Sequence, residues 1–358
     1  FRSELLATIR DVAKRAGVSV ATVSRFINNT GQIREATAER VLAAVRDLGF
    51  RPNAVGRSLS TSQTQSLGIV IPSMSNPVFA DAVAGINEEA RSRGYSLMFT
   101  STDYDRGEEE RAVSTLLDYR VDGLILTVAD PRDSAVLDLL ESAGVPYVLI
   151  YNQGSVDGRS TVTIDNVAAG RAVAEALFEL GHENMGMISG LFSTSDRAMA
   201  RRDGFVQAVC AKGYPEPIVL EVGFVDLEVE KALRGLYSDC EIAPTALFCS
   251  NDMLAISVIG GLGRIGLSVP DDVSVVGFDG IAIGTHLHPT LATVVQPSRE
   301  MGQAATRLLL DRLTGQKKSE ALVLPHSLRL GESVGAAAKP CPADLQETVH
   351  TKKRRSAS

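Results

Sequence analysis

The residue types best suited to recognition chemistry crowd into one short stretch, Ser19, Val20, Ala21, Thr22, Val23, Ser24 and Arg25. The hydroxyls of Thr22 and Ser24 can bond a phosphate or a base edge, and Arg25 can reach one guanine with two hydrogen bonds. Val20 and Ala21 suit apolar contact with thymine methyls. This is the chemistry of reading duplex DNA. Catalytic signatures are missing: no GxSxG, GxxxxGK or HExxH run occurs, so an enzyme is not expected. The run GLGRIG at 261–266 matches GxGxxG, but a dinucleotide fingerprint must follow a strand and open a helix. Here it closes a helix that begins near Asp252, so no nucleotide cofactor is expected. His286 and His288 form HxH without a further Cys/His cluster nearby, and no metal is expected. Cys210, Cys240, Cys249 and Cys341 lie far apart without CxxC spacing. They read as free thiols in a reducing compartment.

Three short helices are predicted over residues 8–48 to position that stretch. The first starts at Thr8, with Asp11 placed for a capping box, and stops at Gly17. The second starts at Ser19, with Val23 and Ile27 four apart on its inner face. Its solvent face would carry Val20, Ala21, Thr22, Ser24 and Arg25. The third covers about 35–48, with Val41, Leu42, Val45 and Leu48 at helical spacing. Only Gly17 and Val18 separate the first two, which is the helix-turn-helix arrangement. A helical hairpin with no ligand is the alternative reading of these residues alone.

Pro52 interrupts the chain, and Asn53 can cap a further short helix. The stretch STSQTQS at 60–66 reads as a linker. Beyond it, apolar runs at 67–71, 95–100, 123–127, 147–150, 162–164, 185–188, 218–222, 246–249, 273–278, 293–295 and 322–324 mark strands. Most are separated by helical patterns, for example at 78–93, 108–119, 166–180 and 197–211. Such alternation predicts parallel sheets covered by helices on both faces. So many strands suit two doubly wound lobes better than one sheet, with a ligand cleft beyond the strands' carboxyl ends.

Composition agrees with this division. The chain has 358 residues and a net charge of −7. Residues 1–65 hold ten Lys and Arg against five Asp and Glu, leaving the remainder at −12. A basic head on an acidic body predicts that only the head meets a polyanion. Aromatics are 5% and Trp is absent, which argues against a carbohydrate surface of stacked rings. No apolar run is long enough for a membrane span, and no charged-then-apolar leader opens the chain. A cytoplasmic location is expected.

The run TIRDVAKRAGVSVATVSRFIN at 8–28 closely resembles the signature of the lactose-repressor (LacI/GalR) family of bacterial regulators. The resemblance continues through GFRPNA at 49–54, LGIVIP at 67–72, NPVF at 76–79, VDGLIL at 121–126, SNDMLA at 250–255 and VPDDVSVVGFD at 269–279. It covers about residues 8–335, and many motifs in the right order make it specific. It implies a small all-α helix-turn-helix headpiece plus an α/β core, with two doubly wound parallel-sheet lobes of periplasmic-binding-protein type I. The headpiece is placed at 1–50, the hinge helix and linker at 51–66 and the core at 67–338. One lobe takes about 67–164 and 296–324, the other about 165–295 and 325–338, with crossings near Asp165, Gln296 and Pro325. Residues 339–358 are expected to be a disordered tail. They end in a basic KKRR run and lack Leu heptads, so no tetramer-forming coiled coil is expected.

The resemblance also implies partners and sites. A homodimer would bind a palindromic double-stranded operator through Thr8, Ser19, Val20, Ala21, Thr22, Ser24, Arg25, Asn28, Asn53 and Arg57. Leu59 of the hinge helix would wedge into the central minor groove. Gly56 stands where relatives usually carry Ala, which makes that helix more reluctant to form. The family pattern Arg-x-x-Gly-Phe falls on Arg201, Gly204 and Phe205. Arg201 would meet a small-molecule effector with Phe79, Asp165, Asn251, Asp279 and Gln296. Such a polar set with one aromatic face fits a sugar, sugar acid, polyol or nucleoside.

Overall fold

In the computed structural model, residues 7–27, 32–50, 64–153, 158–223, 229–238, 243–316 and 319–337 are described. The expectations for Asn28, Asn53, Arg57 and Leu59, and for residues 339–358, fall outside these residues. The chain's internal contacts divide between Thr64 and Gln65.

In the first unit, Thr8 caps α1 (Ile9–Ala16) by a complete capping box with Asp11. The Asp11 carboxylate accepts from the Thr8 backbone N–H at 2.8 Å. Gly17 takes the left-handed conformation at φ 64° and ends the helix. Ser19 then opens α2 (Val20–Ile27), its hydroxyl accepting from the Thr22 N–H at 3.1 Å. α3 (Glu35–Asp47) closes the trio. Val12, Ala16, Val23, Val41, Ala44 and Phe50 form the core.

The second unit contains two six-stranded sheets. The first is built from β1 (Ser66–Ile71), β2 (Ser96–Ser101), β3 (Gly123–Leu126), β4 (Tyr147–Ile150), β5 (Thr161–Ile164) and β11 (Ala321–Leu324). Its order is β11-β5-β4-β3-β1-β2, parallel throughout. The second uses β6 (Met185–Gly190), β7 (Ile218–Val222), β8 (Ala246–Cys249), β9 (Ser274–Asp279), β10 (Ala292–Val295) and β12 (Ser327–Arg329). Its order is β12-β10-β9-β8-β6-β7, with only β12 antiparallel. The chain passes between the sheets after β5, after β10 and between β11 and β12. Strands such as β1, β3, β4, β6, β8 and β9 are buried along their whole length, which is why they read as unbroken apolar runs. No helix among the described residues is long and apolar enough to cross a membrane.

The helices of this unit are α4 (Pro77–Ser92), α5 (Arg106–Asp118), α6 (Ala135–Ser142), α7 (Asn166–Glu179), α8 (Asp196–Ala211), α9 (Val229–Leu236), α10 (Asp252–Ile265) and α11 (Ser298–Leu313). Each lobe contains one very close helix crossing. In the first lobe, a methyl on Gly85 of α4 would overlap the carbonyl of Arg299, and one on Gly302 of α11 would overlap that of Ala82. In the second, Gly170 of α7 meets the carbonyl of Arg201, and Gly204 of α8 meets that of Val167. The two crossings are reciprocal in the same way. The second fixes the backbone of α8 beneath the cleft.

Gly302→Ala should therefore lower stability by about 1–3 kcal/mol, because a dense helix interface has no room for the added carbon. Urea unfolding checks this, and an unchanged midpoint would contradict the packing argument.

Candidate effector site and nucleic-acid interface

The carboxyl ends of both sheets face one cavity. From the first lobe come Asn76 and Phe79 at the start of α4, Tyr104 after β2 and Tyr151 after β4. From the second come Arg197 and Arg201 on α8, Asn251 after β8, Asp279 at the end of β9 and Gln296 after β10. Five of the residues expected in an effector site, Phe79, Arg201, Asn251, Asp279 and Gln296, are thus together.

Asp165 is not with them. It is exposed, and its carboxylate accepts from the Ala168 N–H at 2.8 Å as the N-cap of α7. A carboxylate placed at a strand-to-helix turn is well made for that purpose, and the sequence alone does not separate capping from ligand contact.

Asp279 is the centre of the arrangement. It is buried and holds φ at 116°, a conformation L residues seldom adopt. Such strain persists only where its surroundings fix it. Gln296 Nε2 donates to Oδ1 at 2.8 Å, and Asn76 Nδ2 donates to Oδ2 at 3.2 Å from the opposite lobe. Arg201 Nη1 lies 3.9 Å from Oδ1. Burial pushes the Asp279 carboxyl up to about 6, although Arg201 and these donors pull it down. Burial likewise pushes Arg201 down to about 10, opposed by Asp279. Desolvation outweighs attraction for both partners.

Arg201 is held on every side. Nε donates to Asn166 Oδ1 at 2.7 Å, and Nη1 donates to the Ser250 carbonyl at 2.6 Å. The guanidinium lies over the Phe278 ring, 3.4 Å from its centroid. Asn251 caps α10 through its side-chain oxygen, which accepts from the Leu254 N–H at 2.8 Å. Phe79 packs edge-on against Tyr151, with ring centroids 5.5 Å apart. Behind the wall, Asp252 accepts from Thr293 Oγ1 at 2.6 Å and from the Ile281 N–H at 2.8 Å. Burial raises its carboxyl to about 7.

A second bridge joins the lobes at Asp196, the first residue of α8. Its N–H donates to the Ala129 carbonyl at 3.0 Å. Its carboxylate accepts from Asn152 Nδ2 at 2.9 Å and from the Gln153 N–H at 2.7 Å. Nearby, Glu109 accepts from the Ala129 N–H at 2.8 Å.

Sequence reasoning missed Asn76, Tyr104, Tyr151 and Arg197. Signals existed for each. Asn76 precedes a helix-opening Pro, the two tyrosines follow strands at their carboxyl ends, and Arg197 sits one turn before Arg201 on the same helix face.

In the first unit, α2 exposes Val20, Ala21 and Arg25, while Thr22 and Ser24 are half-buried and Val23 is buried. Arg25 forms no ion pair among the described residues. The Ser19 and Thr22 hydroxyls lie 2.9 Å apart. Thr8 keeps its hydroxyl on Asp11, donating at 2.6 Å. The GLGRIG run lies within α10 up to Ile265 and ends at Gly266, its left-handed cap. No cluster of potential metal ligands occurs among the described residues.

Residues 8–53 match the family model for bacterial regulatory proteins of the lacI family. Residues 174–334 match that for a periplasmic binding protein-like domain. The HTH-type transcriptional regulator DegA of Bacillus subtilis (strain 168) is 36% identical over 326 residues, 90% of this chain and 96% of DegA. Among solved structures, the lac repressor dimer bound to operator and the anti-inducer ONPF aligns with a TM-score of 0.82 at 27% identity, covering 92% of this chain and 99% of that one. The CelR–cellobiose complex aligns at 0.68 and 31% identity, covering 91% and 99%.

The buried acids make stability depend on pH in a defined sense. Burial pushes Glu109 up from 4.5 to about 7. The fold therefore favours its protonated form, and its contribution is full below about pH 4.5 and lost as pH rises through about 7. Glu109→Gln keeps the acceptor for Ala129 and removes the charge. Its stability relative to the parent should improve between pH 5 and pH 8 by on the order of 2 kcal/mol. Thermal unfolding at the two pH values reads this, and an equal difference at both would refute it.

Proposed function

The chain belongs to the LacI family of bacterial regulatory proteins, and on that premise we propose that it is a repressor that binds a palindromic operator as a homodimer under the control of a small hydroxylated effector. The observation that carries the proposal is the cavity closed by both lobes, with Asn76 of one bonded to Asp279 of the other. A polar cavity built across two lobes gives a bound molecule purchase on their relative arrangement. The chain that links the headpiece enters the core beside β1, where the Gln65 N–H donates to Asp122 at 2.8 Å. A shift of the lobes would pass along the chain to the headpiece, so operator and effector affinities would be coupled and reciprocal.

Each headpiece would place α2 in a major groove, reading bases through Val20, Ala21 and Arg25, with Ser19, Thr22 and Ser24 on the backbone or base edges. Thr8, Asn28, Asn53 and Arg57 would contact phosphates or flanking bases, and Leu59 would wedge the central minor groove. In the core, Arg201, Asn251, Asp279 and Gln296 would bond hydroxyls, with Phe79 against an apolar ring face. Sugar, sugar acid, polyol and nucleoside fit this chemistry. The lac repressor neighbour with operator and ONPF and the CelR neighbour with cellobiose support an operator and a small-molecule partner. The protein acts by binding, without catalysis, in the bacterial cytoplasm where its DNA lies.

Fluorescence anisotropy at fixed near-physiological salt tests the DNA half. Palindromic duplexes centred on a CG step should include one bound at least about a thousandfold tighter than scrambled duplexes. Equal, weak binding to all, with and without candidate metabolites, would refute a specific dimeric reader. Arg201→Ala should abolish the effector's influence on operator binding, and an unchanged effector titration would remove Arg201 from the site.

A further inference from the structure

The proposed effector site leaves the ligand's charge open, and Arg197 bears on it. Arg197 and Arg201 are four residues apart on α8 and both line the cavity. They differ in how they are satisfied. Arg201 has Asn166, the Ser250 carbonyl and the Phe278 ring. Arg197 is as deeply buried, 5% exposed, yet its Nη1 has no hydrogen-bond partner. The acid beside it, Asp196, places Oδ1 3.6 Å from that nitrogen, too far for a hydrogen bond. Asp196 is committed elsewhere: its oxygens accept from Asn152 Nδ2, the Gln153 N–H and the Arg197 N–H at 2.9, 2.7 and 2.8 Å. Moving to Arg197 would break bonds that join the lobes.

A buried cationic donor without an acceptor is costly, and native structures seldom keep one without a use. The lining also holds a neutral counterpart, Gln296 Oε1, which has no donor while Nε2 serves Asp279. A hydroxyl can donate to Gln296. Arg197 is served best by an ionised oxygen, since charge-assisted hydrogen bonds are about twice as strong as neutral ones.

We infer that the effector is a hydroxylated acid, bearing a carboxylate or a phosphate, whose anionic group is held by Arg197 while its hydroxyls meet Gln296 and Asp279. The inference rests on the effector-site reading above, and it separates the acids from the neutral sugars, polyols and nucleosides.

Isothermal titration of the full chain with matched probes tests it: glucose against gluconate, glucose against glucose 6-phosphate, and ribose against ribose 5-phosphate. One acid should bind at least about tenfold tighter than its neutral parent. Which acid binds distinguishes carboxylate from phosphate. Arg197→Met should weaken that acid at least about tenfold. Without ligand, the same variant leaves buried Asp196 without the cation beside it and should unfold at a lower temperature, so binding is compared where both chains are folded. A neutral parent that binds tighter than its acid, with Arg197→Met unaffected, would overturn the inference and leave the site standing. Failure of every acid to bind tighter than its neutral parent would also overturn it. An acid that binds Arg201→Ala as tightly as the parent would overturn the site assignment itself.

Discussion

The placement of one buried cation, Arg201, organises the second lobe. A guanidinium removed from water must find acceptors and a charge partner or be expelled. Arg201 finds them on three separate pieces of chain: Asn166 on α7, Ser250 after β8, and Phe278 and Asp279 at the end of β9. Meeting those demands together fixes where α7, α8, β8 and β9 lie relative to one another at the cavity wall. The same contacts make the wall rigid before any ligand arrives.

The pattern Arg-x-x-Gly-Phe acquires a physical meaning from this. Arg201 turns into the cavity. Gly204 lets α8 approach α7 closely enough for Asn166 to reach the guanidinium. Phe205 points into the core, its ring centroid 5.2 Å from that of Phe248. Three neighbouring residues thus line the cavity, permit the crossing and fill the core. The first lobe repeats the crossing at Gly85 and Gly302 without the arginine. Similar mechanical frames carry different chemical duties.

Much of this was legible in the sequence. Strands buried on both faces leave unbroken apolar runs, and eleven of these marked their strands within a residue or two. The twelfth, β12, has only Ser327, Leu328 and Arg329, too short for any periodic signal. The capping box at Thr8 and the left-handed Gly17 were readable because caps are local chemistry. Residues at the cleft were readable where a strand's end or a motif marked them. Asp165 was misplaced because an acid at a strand-to-helix turn has two uses with the same local sequence. Arg197 was passed over because its significance depends on what Asp196 bonds to, and those partners, Asn152 and Gln153, lie more than forty residues away.

The cavity's walls have a consequence in time as well as in affinity. Phe79, Arg197, Arg201, Asn251, Asp279 and Gln296 are all nearly inaccessible to solvent. For a molecule held there as proposed, release would be slowed by the bonds that join the lobes, from Asn76 to Asp279 and from Asp196 to Asn152 and Gln153. Their parting would set the pace, on the microsecond-to-second scale of lobe motions. Dips in metabolite concentration briefer than that would go unregistered, and the protein would report an average of its recent surroundings.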